Sequence, residues 1–346
     1  MTLSRLSCYR WLLLYGRGGA CRLAGGRHPS YQLSTNAKPK NQSAISSRVK
    51  YMNEKYNKFL ERKFPRFYIL YSTFIKGLQL LFLDGKEFIR IRKKMTEQGL
   101  KFYQLPYREM EKLRQFRRDI IKGIPILLIS IPPFANYLVF VLMYFFPRQF
   151  LIQHFWTAQQ QEEFMDVYHS IRAESYPEVL SGLQQAVPRL QDQHLKEKML
   201  QLCTEVQHGS QPAVAELKNV SWAFSGPPLN LKHLKMHDMK ALSRVLFLTP
   251  YLPMFFLRWR LENNTFELHH LDMALLKLGV NELSDKELKN ACYVRGLNPT
   301  QLTAAECRVW INQWLQLSSR LKDSEISLLL FSLVLLSTNY FRSSRH

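Results

Sequence analysis

The segment GIPILLISIPPFANYLVFVLMYFF, residues 123–146, has no charged side chain and separates a basic N-terminal part from a nearly neutral C-terminal part. A helix of this length measures ~36 Å, enough to cross the ~30 Å hydrocarbon core of a bilayer with some tilt. The alternative is a buried core helix, but core helices of soluble proteins rarely run this long without a charge. The sequence therefore predicts one transmembrane helix over 123–146.

Three prolines interrupt this segment, and each lacks the backbone N–H that a helix uses. They predict a kinked span. Asn136 is the only amide side chain in the segment, and it favours a hydrogen bond to another helix over a transport site because an amide cannot titrate. The transmembrane motif comprises Pro125, Pro132, Pro133, Phe134, Asn136 and Pro147.

The charge of the chain is unevenly distributed. Its 346 residues include 48 Lys+Arg and 27 Asp+Glu, a formal net charge of +21. Residues 1–149 hold 28 of the basic and 8 of the acidic side chains, whereas residues 150–346 hold 20 and 19. The basicity therefore lies in the N-terminal arm and the approach to the membrane. A C-terminal domain of almost zero net charge argues against broad nucleic-acid binding, which requires a basic surface.

The N-terminal arm has the composition of a targeting segment. Residues 1–53 carry nine basic side chains and no acidic one, with arginines at nearly regular spacing among Ser, Gly and Leu. This is the profile of a mitochondrial transit peptide, whereas the apolar core of a secretory signal, 11–15, would be too short. We expect a transit peptide over 1–40 that is required for mitochondrial delivery and dispensable for the fold.

Residues 41–122 form a basic, amphipathic approach to the membrane. Apolar side chains recur at helical spacing over 67–83, which predicts an amphipathic helix at the membrane interface or packed on another helix. A second transmembrane pass is less favoured because Lys76 and a polar face interrupt it. Twelve basic residues follow between 86 and 122, and their position before the span favours attraction to anionic headgroups.

The region 150–346 shows helical patterns and no strand alternation. We therefore predict an all-α fold, a single-pass membrane protein with a helical C-terminal domain. Capping boxes pair Thr157 with Gln160, Ser284 with Glu287 and Thr303 with Glu306, and Gly279 marks a helix end. Helices are predicted over 157–174, from 175 onward, and over 191–207, 212–224, 233–248, 255–278 and 326–340, the last as core.

The stretch VLFLTPYLPMFFL, residues 245–257, is apolar and contains two prolines. It fits either a corner of the core or a patch at a membrane interface. We favour the core because apolar residues of a folded domain are most often buried.

No catalytic constellation is evident. The sequence lacks the GxxxxGK[ST] phosphate loop, the GxSxG elbow and the HExxH helix. His233 and His237 share a helix face, but two ligands without a third make a weak metal site. Five cysteines form no CxxC pair, so neither a disulfide nor a zinc site is expected. We expect no enzymatic activity, no metal and no cofactor.

Two blocks of sequence resemble a known family. The first is LPYREMEKLR, residues 105–114, followed by the proline-bearing span. The second begins with FFLRWRL at 255–261 and continues as LGVNELSDKELKNACYVRGLNPTQLTAAECRVWINQWLQL over 278–317. Together they resemble the LETM family, the leucine-zipper and EF-hand transmembrane proteins of mitochondria, and most of all its small LETM domain-containing members.

The resemblance implies an inner-membrane protein with one span and a helical domain that is called ribosome-binding and is similar in shape to 14-3-3 proteins. That domain would face the matrix. The excess of Lys and Arg before the span favours the opposite orientation, and the outer membrane stays an alternative. The family is tied to cation/proton exchange and ion balance, to docking of mitochondrial ribosomes and to organelle morphology.

The resemblance also carries residues over to this chain. The pre-membrane motif comprises Leu105, Pro106, Tyr107, Arg108 and Arg114. The candidates for ribosome or partner binding are Lys286, Lys289, Arg295, Gly296 and Arg308. Asn136 stands where longer members have an acidic residue, and Phe140 stands where they have a proline. We expect no coiled-coil and EF-hand tail of the kind that longer members carry. Because an amide cannot titrate, Asn136 argues against exchange activity by this chain.

The preferred hypothesis is a non-enzymatic mitochondrial membrane scaffold that recruits ribosomes or assembly factors and supports mitochondrial structure, respiration and ion homeostasis. Its expected partners are the lipid bilayer and mitochondrial ribosomes or assembly proteins, and a homo-oligomer is left open. The alternative is a cation/proton exchanger or one of its subunits. A weaker alternative is nucleic-acid or chromatin binding through 283–317, which is similar to SAP-type helices, although direct contact with nucleic acid is disfavoured.

Overall fold

The computed structural model describes residues 61–63, 65–130 and 152–340. Every regular element in these ranges is helical, so the all-α prediction is confirmed. Residues 61–63 belong to a separate unit, and the following description concerns the unit that starts at residue 64. No helix in the described ranges is both long and apolar enough to cross a bilayer.

Several predictions of the sequence fall on residues that the structure does not describe. The transit peptide at 1–40 is one of them, and residues 131–146 of the expected span are another. Pro132, Pro133, Phe134, Asn136 and Pro147 of the transmembrane motif lie there too.

Eleven α-helices lie within the described ranges. They are α1 (Pro65–Gln98), α2 (Tyr107–Ser130), α3 (Ala158–Ala173), α4 (Tyr176–Ala186), α5 (Gln193–Gln207), α6 (Val214–Asn219), α7 (Met236–Val245), α8 (Met254–Leu278), α9 (Asp285–Val294), α10 (Ala304–Ser318) and α11 (Ser327–Leu335). Short 3-10 helices lie at Phe102–Gln104, Gln153–Phe155, Val187–Arg189, Ser221–Phe224, Val280–Glu282 and Asp323–Glu325.

Helices α1 and α2 form an antiparallel pair. Lys94 of α1 lies 2.9 Å from Glu109 of α2, and the rings of Phe88 and Phe116 are 4.8 Å apart. The amphipathic helix expected over 67–83 is part of α1, which continues through the basic run as one helix of 34 residues. The basic region that the sequence predicts to approach a membrane therefore consists of two packed helices.

The core of the C-terminal body is built around α11. All nine residues of this helix, SLLLFSLVL, are buried. Burying each Leu or Phe stabilises the fold by roughly 1.5–3 kcal/mol. The prediction of a core helix here is confirmed, although α11 ends at Leu335 rather than at Tyr340. The side-chain amide of Asn339 donates to the carbonyl oxygens of Val206 and Ser210, at 2.7 and 2.9 Å, and so holds the residues after α11 against the C-terminal end of α5.

The three capping boxes are confirmed. They open α3, α9 and α10, and in each the N-cap hydroxyl and the side chain three residues later satisfy free backbone N–H groups. In α10 the N–H of Thr303 donates to Glu306 at 2.8 Å. Gly279 ends α8 with a φ of 91°, as its position in the sequence predicts.

Two predicted helices are shorter than expected. The pattern over 212–224 divides into α6 and the 3-10 helix Ser221–Phe224, because the chain leaves α-helical geometry at Val220. The pattern over 233–248 yields α7 alone, since the backbone is still extended at Lys235, directly before the helix.

The stretch 245–257 is not a corner of the core, and the favoured interpretation is wrong for its middle part. Val245 and Leu257 are buried, but all four aromatic side chains between them are exposed. Pro250 and Pro253 explain the difference, because proline cannot continue a helix and the chain therefore loops outward before α8 begins.

Candidate functional site

The two sequence blocks that resemble the LETM family meet at the start of α2. Nε of Arg108 donates to Glu287 of α9 at 2.9 Å, and the same guanidinium donates to the carbonyl oxygen of Glu282 at 2.9 Å. Hydrogen bonds from the backbone of Ser284 and from Arg108 lower the pKa of Glu287. Glu287 therefore caps α9 and binds α2 at the same time.

One turn further along α2, Glu111 continues this junction. The side-chain amide of Asn290 in α9 donates to the Glu111 carboxylate at 2.6 Å. Burial raises the pKa of Glu111, and the hydrogen bond from Asn290 opposes that rise. The pair joins α2 to α9 through a largely desolvated contact.

Behind this surface lies a buried ion pair. Nε of Arg295, in the loop after α9, donates to Oδ1 of Asp272 in α8 at 2.8 Å, and a second guanidinium nitrogen lies 2.7 Å from the same oxygen. Arg295 also donates to the carbonyl oxygen of Ala291 at 2.8 Å. The other carboxylate oxygen of Asp272 accepts from Trp314 at 2.9 Å and from Ser318 at 2.5 Å, both in α10. One carboxylate thus connects α8, α9 and α10.

Tyr107 of the pre-membrane motif belongs to the same buried cluster. Burial raises the pKa of its hydroxyl, and the nearby charge of Arg295 opposes that rise. Leu105, two residues earlier, is buried as well, whereas Pro106 is exposed. The motif therefore anchors α2 on the loop that contains Arg295.

Arg114 is the second buried arginine of the site. Burial and the charge of Arg118 lower the pKa of Arg114 to about 9, while Glu267 of α8 acts in the opposite direction. Arg117 forms an ion pair with Glu267, and Arg118 lies 3.4 Å from the side-chain oxygen of Asn264. These contacts hold α2 against α8 over about one turn.

Gly296 allows the chain to turn directly after Arg295. Its φ is 107°, a conformation that favours glycine. A Cβ placed there would lie 2.4 Å from the carbonyl oxygen of Leu333 and 2.9 Å from the hydroxyl of Ser337. The loop after α9 therefore packs directly on α11.

The structure divides the five predicted partner-binding residues into two groups. Arg295 and Gly296 are buried, so they position the fold and do not offer a surface for a partner. Lys286 is exposed and Lys289 partly exposed on α9, and Arg308 of α10 lies 3.6 Å from Asp285. The surface candidates are thus Lys286, Lys289 and Arg308.

The remaining candidates for chemistry have structural partners. His237 lies 3.0 Å from Glu178, which also forms an ion pair with Arg244. Within the part of the chain that the structure describes, no group of three His, Cys, Asp or Glu side chains is arranged to hold a metal ion. Cys203, Cys292 and Cys307 are free and buried. The site is a polar junction between helices, suited to holding a surface in place.

Sequence reasoning missed the acceptor at the centre of this junction. Asp272 lies in the run LHHLDMALLKL, where an acidic side chain interrupts an otherwise apolar face. A lone acid on such a face indicates a buried partner of opposite charge. Trp314 and Ser318 carried no comparable signal.

Comparison with known proteins agrees with the resemblance seen in the sequence. A family model described as "LETM1-like, RBD" matches residues 105–335, from the pre-membrane motif to the end of α11. A Xenopus tropicalis protein named "LETM1 domain-containing protein 1" is 63% identical over 312 residues, which cover 90% of this chain and 89% of the relative. The human protein of the same name is 49% identical over 336 residues, with 96% and 92% covered.

A more distant relative extends the comparison. The "Mitochondrial proton/calcium exchanger protein" of Drosophila melanogaster is 27% identical over 268 residues, which cover 75% of this chain but 26% of the relative. The family model covers both sequence blocks, which meet at Arg108, and the structure of the matched region is helical. The chain belongs to the LETM family of mitochondrial proteins, among its small LETM1 domain-containing members.

Proposed function

We propose that this chain is a non-enzymatic scaffold of the mitochondrial inner membrane whose helical domain recruits ribosomes or assembly factors on the matrix side. The uncharged segment 123–146 holds the protein in the membrane, and the body from α3 to α11 presents the binding surface. In this role the protein supports mitochondrial structure, respiration and ion homeostasis.

One observation carries the proposal: three basic side chains lie on the surface of the α9–α10 hairpin, and the buried Arg295–Asp272 pair fixes that hairpin. Lys286, Lys289 and Arg308 are accessible there to phosphates or acidic side chains. Because the pair is shielded from solvent and salt, the hairpin keeps its geometry when a partner binds. The family model named "RBD" covers this hairpin completely.

The test uses the full chain in lipid nanodiscs, mixed with purified mitochondrial ribosomes and sedimented. We expect the wild type to co-sediment, and the triple variant Lys286→Glu, Lys289→Glu, Arg308→Glu to lose most of the binding. The matched control changes three exposed lysines elsewhere, Lys232, Lys235 and Lys322, to Glu and should bind normally. A folded wild type that neither co-sediments nor captures a defined assembly protein would refute the proposal.

A second candidate function is cation/proton exchange, and one cluster favours it. His154 contacts Asp84 at 2.6 Å and lies 3.7 Å from Asp119, at the flanks of the segment 123–146. Burial raises the pKa of Asp119 to about 6, so this carboxyl can exchange a proton near neutral pH. The Drosophila relative is named a proton/calcium exchanger.

Proteoliposomes that contain a proton-sensitive dye test this second function. Exchange predicts a proton flux that depends on an imposed calcium gradient and that falls in Asp119→Asn but not in the exposed control Asp323→Asn. Asn136→Glu should increase the flux, because it adds a titratable group to the segment. The absence of any calcium-dependent flux from the wild type would reject exchange by this chain.

A further inference from the structure

An aromatic face lies exposed where α8 begins. It comprises Phe247, Tyr251, Phe255, Phe256 and Trp259, which are 40, 88, 63, 42 and 61% exposed. Isolated apolar residues on a surface are common, but a contiguous group of large ones marks an interaction site. Neither the buried junction nor the basic α9–α10 surface uses this face.

Ring contacts place this face beside both flanks of the uncharged segment 123–146. Nζ of Lys122, the last charged residue before the segment, lies 5.3 Å from the ring centroid of Tyr168. The Tyr168 ring lies 5.6 Å from that of Phe247 and 6.4 Å from that of Trp156, which follows the segment. The Phe247 edge of the aromatic face therefore lies near both flanks of the segment that is proposed to enter the membrane.

The packing of α2 on α8 leads to the same position. Arg108 at the start of α2 contacts Glu282 just after α8, whereas Arg117 contacts Glu267 within α8. The two helices are therefore antiparallel, and the first turns of α8 lie level with the end of α2.

The charge around the face suits an anionic surface. Residues 245–261 contain no acidic side chain, and Arg258 and Arg260 flank Trp259. Nε of Arg258 is buried and has no hydrogen-bond partner within the described residues. Tyr and Trp concentrate at the headgroup level of bilayers, and nearby Arg side chains attract anionic lipids.

We infer that the aromatic face docks on the surface of an anionic bilayer. Its rings enter the boundary between headgroups and acyl chains, and Arg258 and Arg260 bind lipid phosphates. A lipid surface is the occupant because the face lies beside the flanks of the membrane segment. The inference rests on the membrane location in the proposed function and is independent of ribosome binding.

The test places a polarity-sensitive fluorophore on the face of the full chain. Trp259→Cys carries the label, Cys8 and Cys21 are changed to Ser, and the three remaining cysteines are buried and free. Trp222→Cys is the matched control, because Trp222 is 64% exposed and lies outside the face. In vesicles of phosphatidylcholine and phosphatidylglycerol, we expect a blue-shifted label at 259 that spin-labelled lipid quenches several-fold more strongly than the label at 222.

A second variant tests the charge. Arg258→Gln with Arg260→Gln should reduce the quenching at 259 in these vesicles and change it little in pure phosphatidylcholine, whereas Arg320→Gln with Lys322→Gln should have no effect. Equal quenching at 259 and 222 overturns the inference. So does shielding that appears only after ribosomes are added, or a chain that fails to float with the vesicles. Co-sedimentation of the same labelled chain with ribosomes reports separately on the proposed function.

Discussion

The Asp119 carboxylate lies 3.7 Å from Nδ1 of His154, although the segment 123–146 separates them in the sequence. The other nitrogen of the His154 ring contacts Asp84 of α1 at 2.6 Å. One straight helical pass of ~36 Å would place the two flanks on opposite membrane surfaces. For the membrane insertion proposed above, the contact instead favours both flanks on the same surface, contrary to the single pass predicted from the sequence.

The first prediction is that both flanks are labelled from one side of the membrane. Ile121→Cys and Glu162→Cys report on the two flanks, in chains whose Cys8 and Cys21 are changed to Ser. In proteoliposomes of uniform orientation, a membrane-impermeant maleimide should modify both positions or neither before detergent is added. Labelling of one position outside and the other only after lysis would support a single pass. The parent chain without either new cysteine is the control, and it should stay unlabelled because its cysteines are buried.

The second prediction concerns the pH dependence of stability. Burial raises the pKa of Asp119 from an ordinary 3.8 to about 6, against the opposing charges of His154 and Lys122. Asp84 adds to the rise and Arg118 opposes it. Because the folded chain holds this proton more tightly than the unfolded chain, the stabilising contribution is complete below about pH 4 and is lost as the pH rises through about 6.

Asp119→Asn mimics the protonated carboxyl and should therefore stabilise the chain at neutral pH by at most about 3 kcal/mol, with no effect near pH 4. Thermal unfolding in nanodiscs, followed by circular dichroism between pH 4 and 8, measures this difference. Asp323→Asn, at an exposed position, should show no such trend. A gain for Asp119→Asn that is the same at every pH would contradict the assignment.

The third prediction concerns the buried Arg295–Asp272 pair. Arg295→Met leaves the Asp272 carboxylate buried without its positive partner, so the free energy of unfolding should fall by roughly 3–5 kcal/mol. Arg295→Lys should cost less, since it keeps the charge but loses the second nitrogen contact. Urea unfolding of the full chain in detergent measures both.

The double variant Arg295→Met, Asp272→Leu should cost less than the sum of the single changes, because it removes both charges together. Arg189→Met is the matched control at an exposed arginine and should change stability by no more than about 0.5 kcal/mol. Additive single effects would mean that the two side chains stabilise the fold independently.

The fourth prediction compares three glycines. Gly226 has neither a positive φ nor a neighbour within 4 Å, and Gly99 has a positive φ of 61° but no close neighbour. Gly296 has both a positive φ and a carbonyl oxygen in the position of the added methyl group. Alanine should therefore cost about zero at 226, about 1–2 kcal/mol at 99 and more than either at 296. Equal losses at 99 and 296 would show that the contact with Leu333 relaxes freely.

Local signals in the sequence predicted the local structure. The capping boxes at Thr157, Ser284 and Thr303 each combine two interactions within four residues, so no distant contact is needed to recognise them. Gly279 is a comparable signal, because the end of a helix requires the backbone conformation that glycine adopts at little cost.

Burial of polar and aromatic side chains could not be predicted in the same way. Arg295 looks like a surface residue of a helical hairpin until its partner, 23 positions earlier, is placed beside it. Phe255 and Phe256 look like core residues because periodicity does not reveal which face of a helix meets the rest of the protein. The burial of Arg295 and the exposure of these aromatic rings depend on tertiary packing, which local sequence preferences do not reveal.

The junction between α2 and α9 can form only after both helices have been synthesised. Arg108 and Glu287 are 179 positions apart, and so are Glu111 and Asn290. At ordinary elongation rates, α2 leaves the ribosome roughly 10–40 s before α9 does. During that interval Tyr107 and Glu111 lack their partners in α9 and the loop after it, which belong to the last fifth of the chain. A nascent chain that stops before residue 285 would thus lack the helix that Arg108 and Glu111 contact.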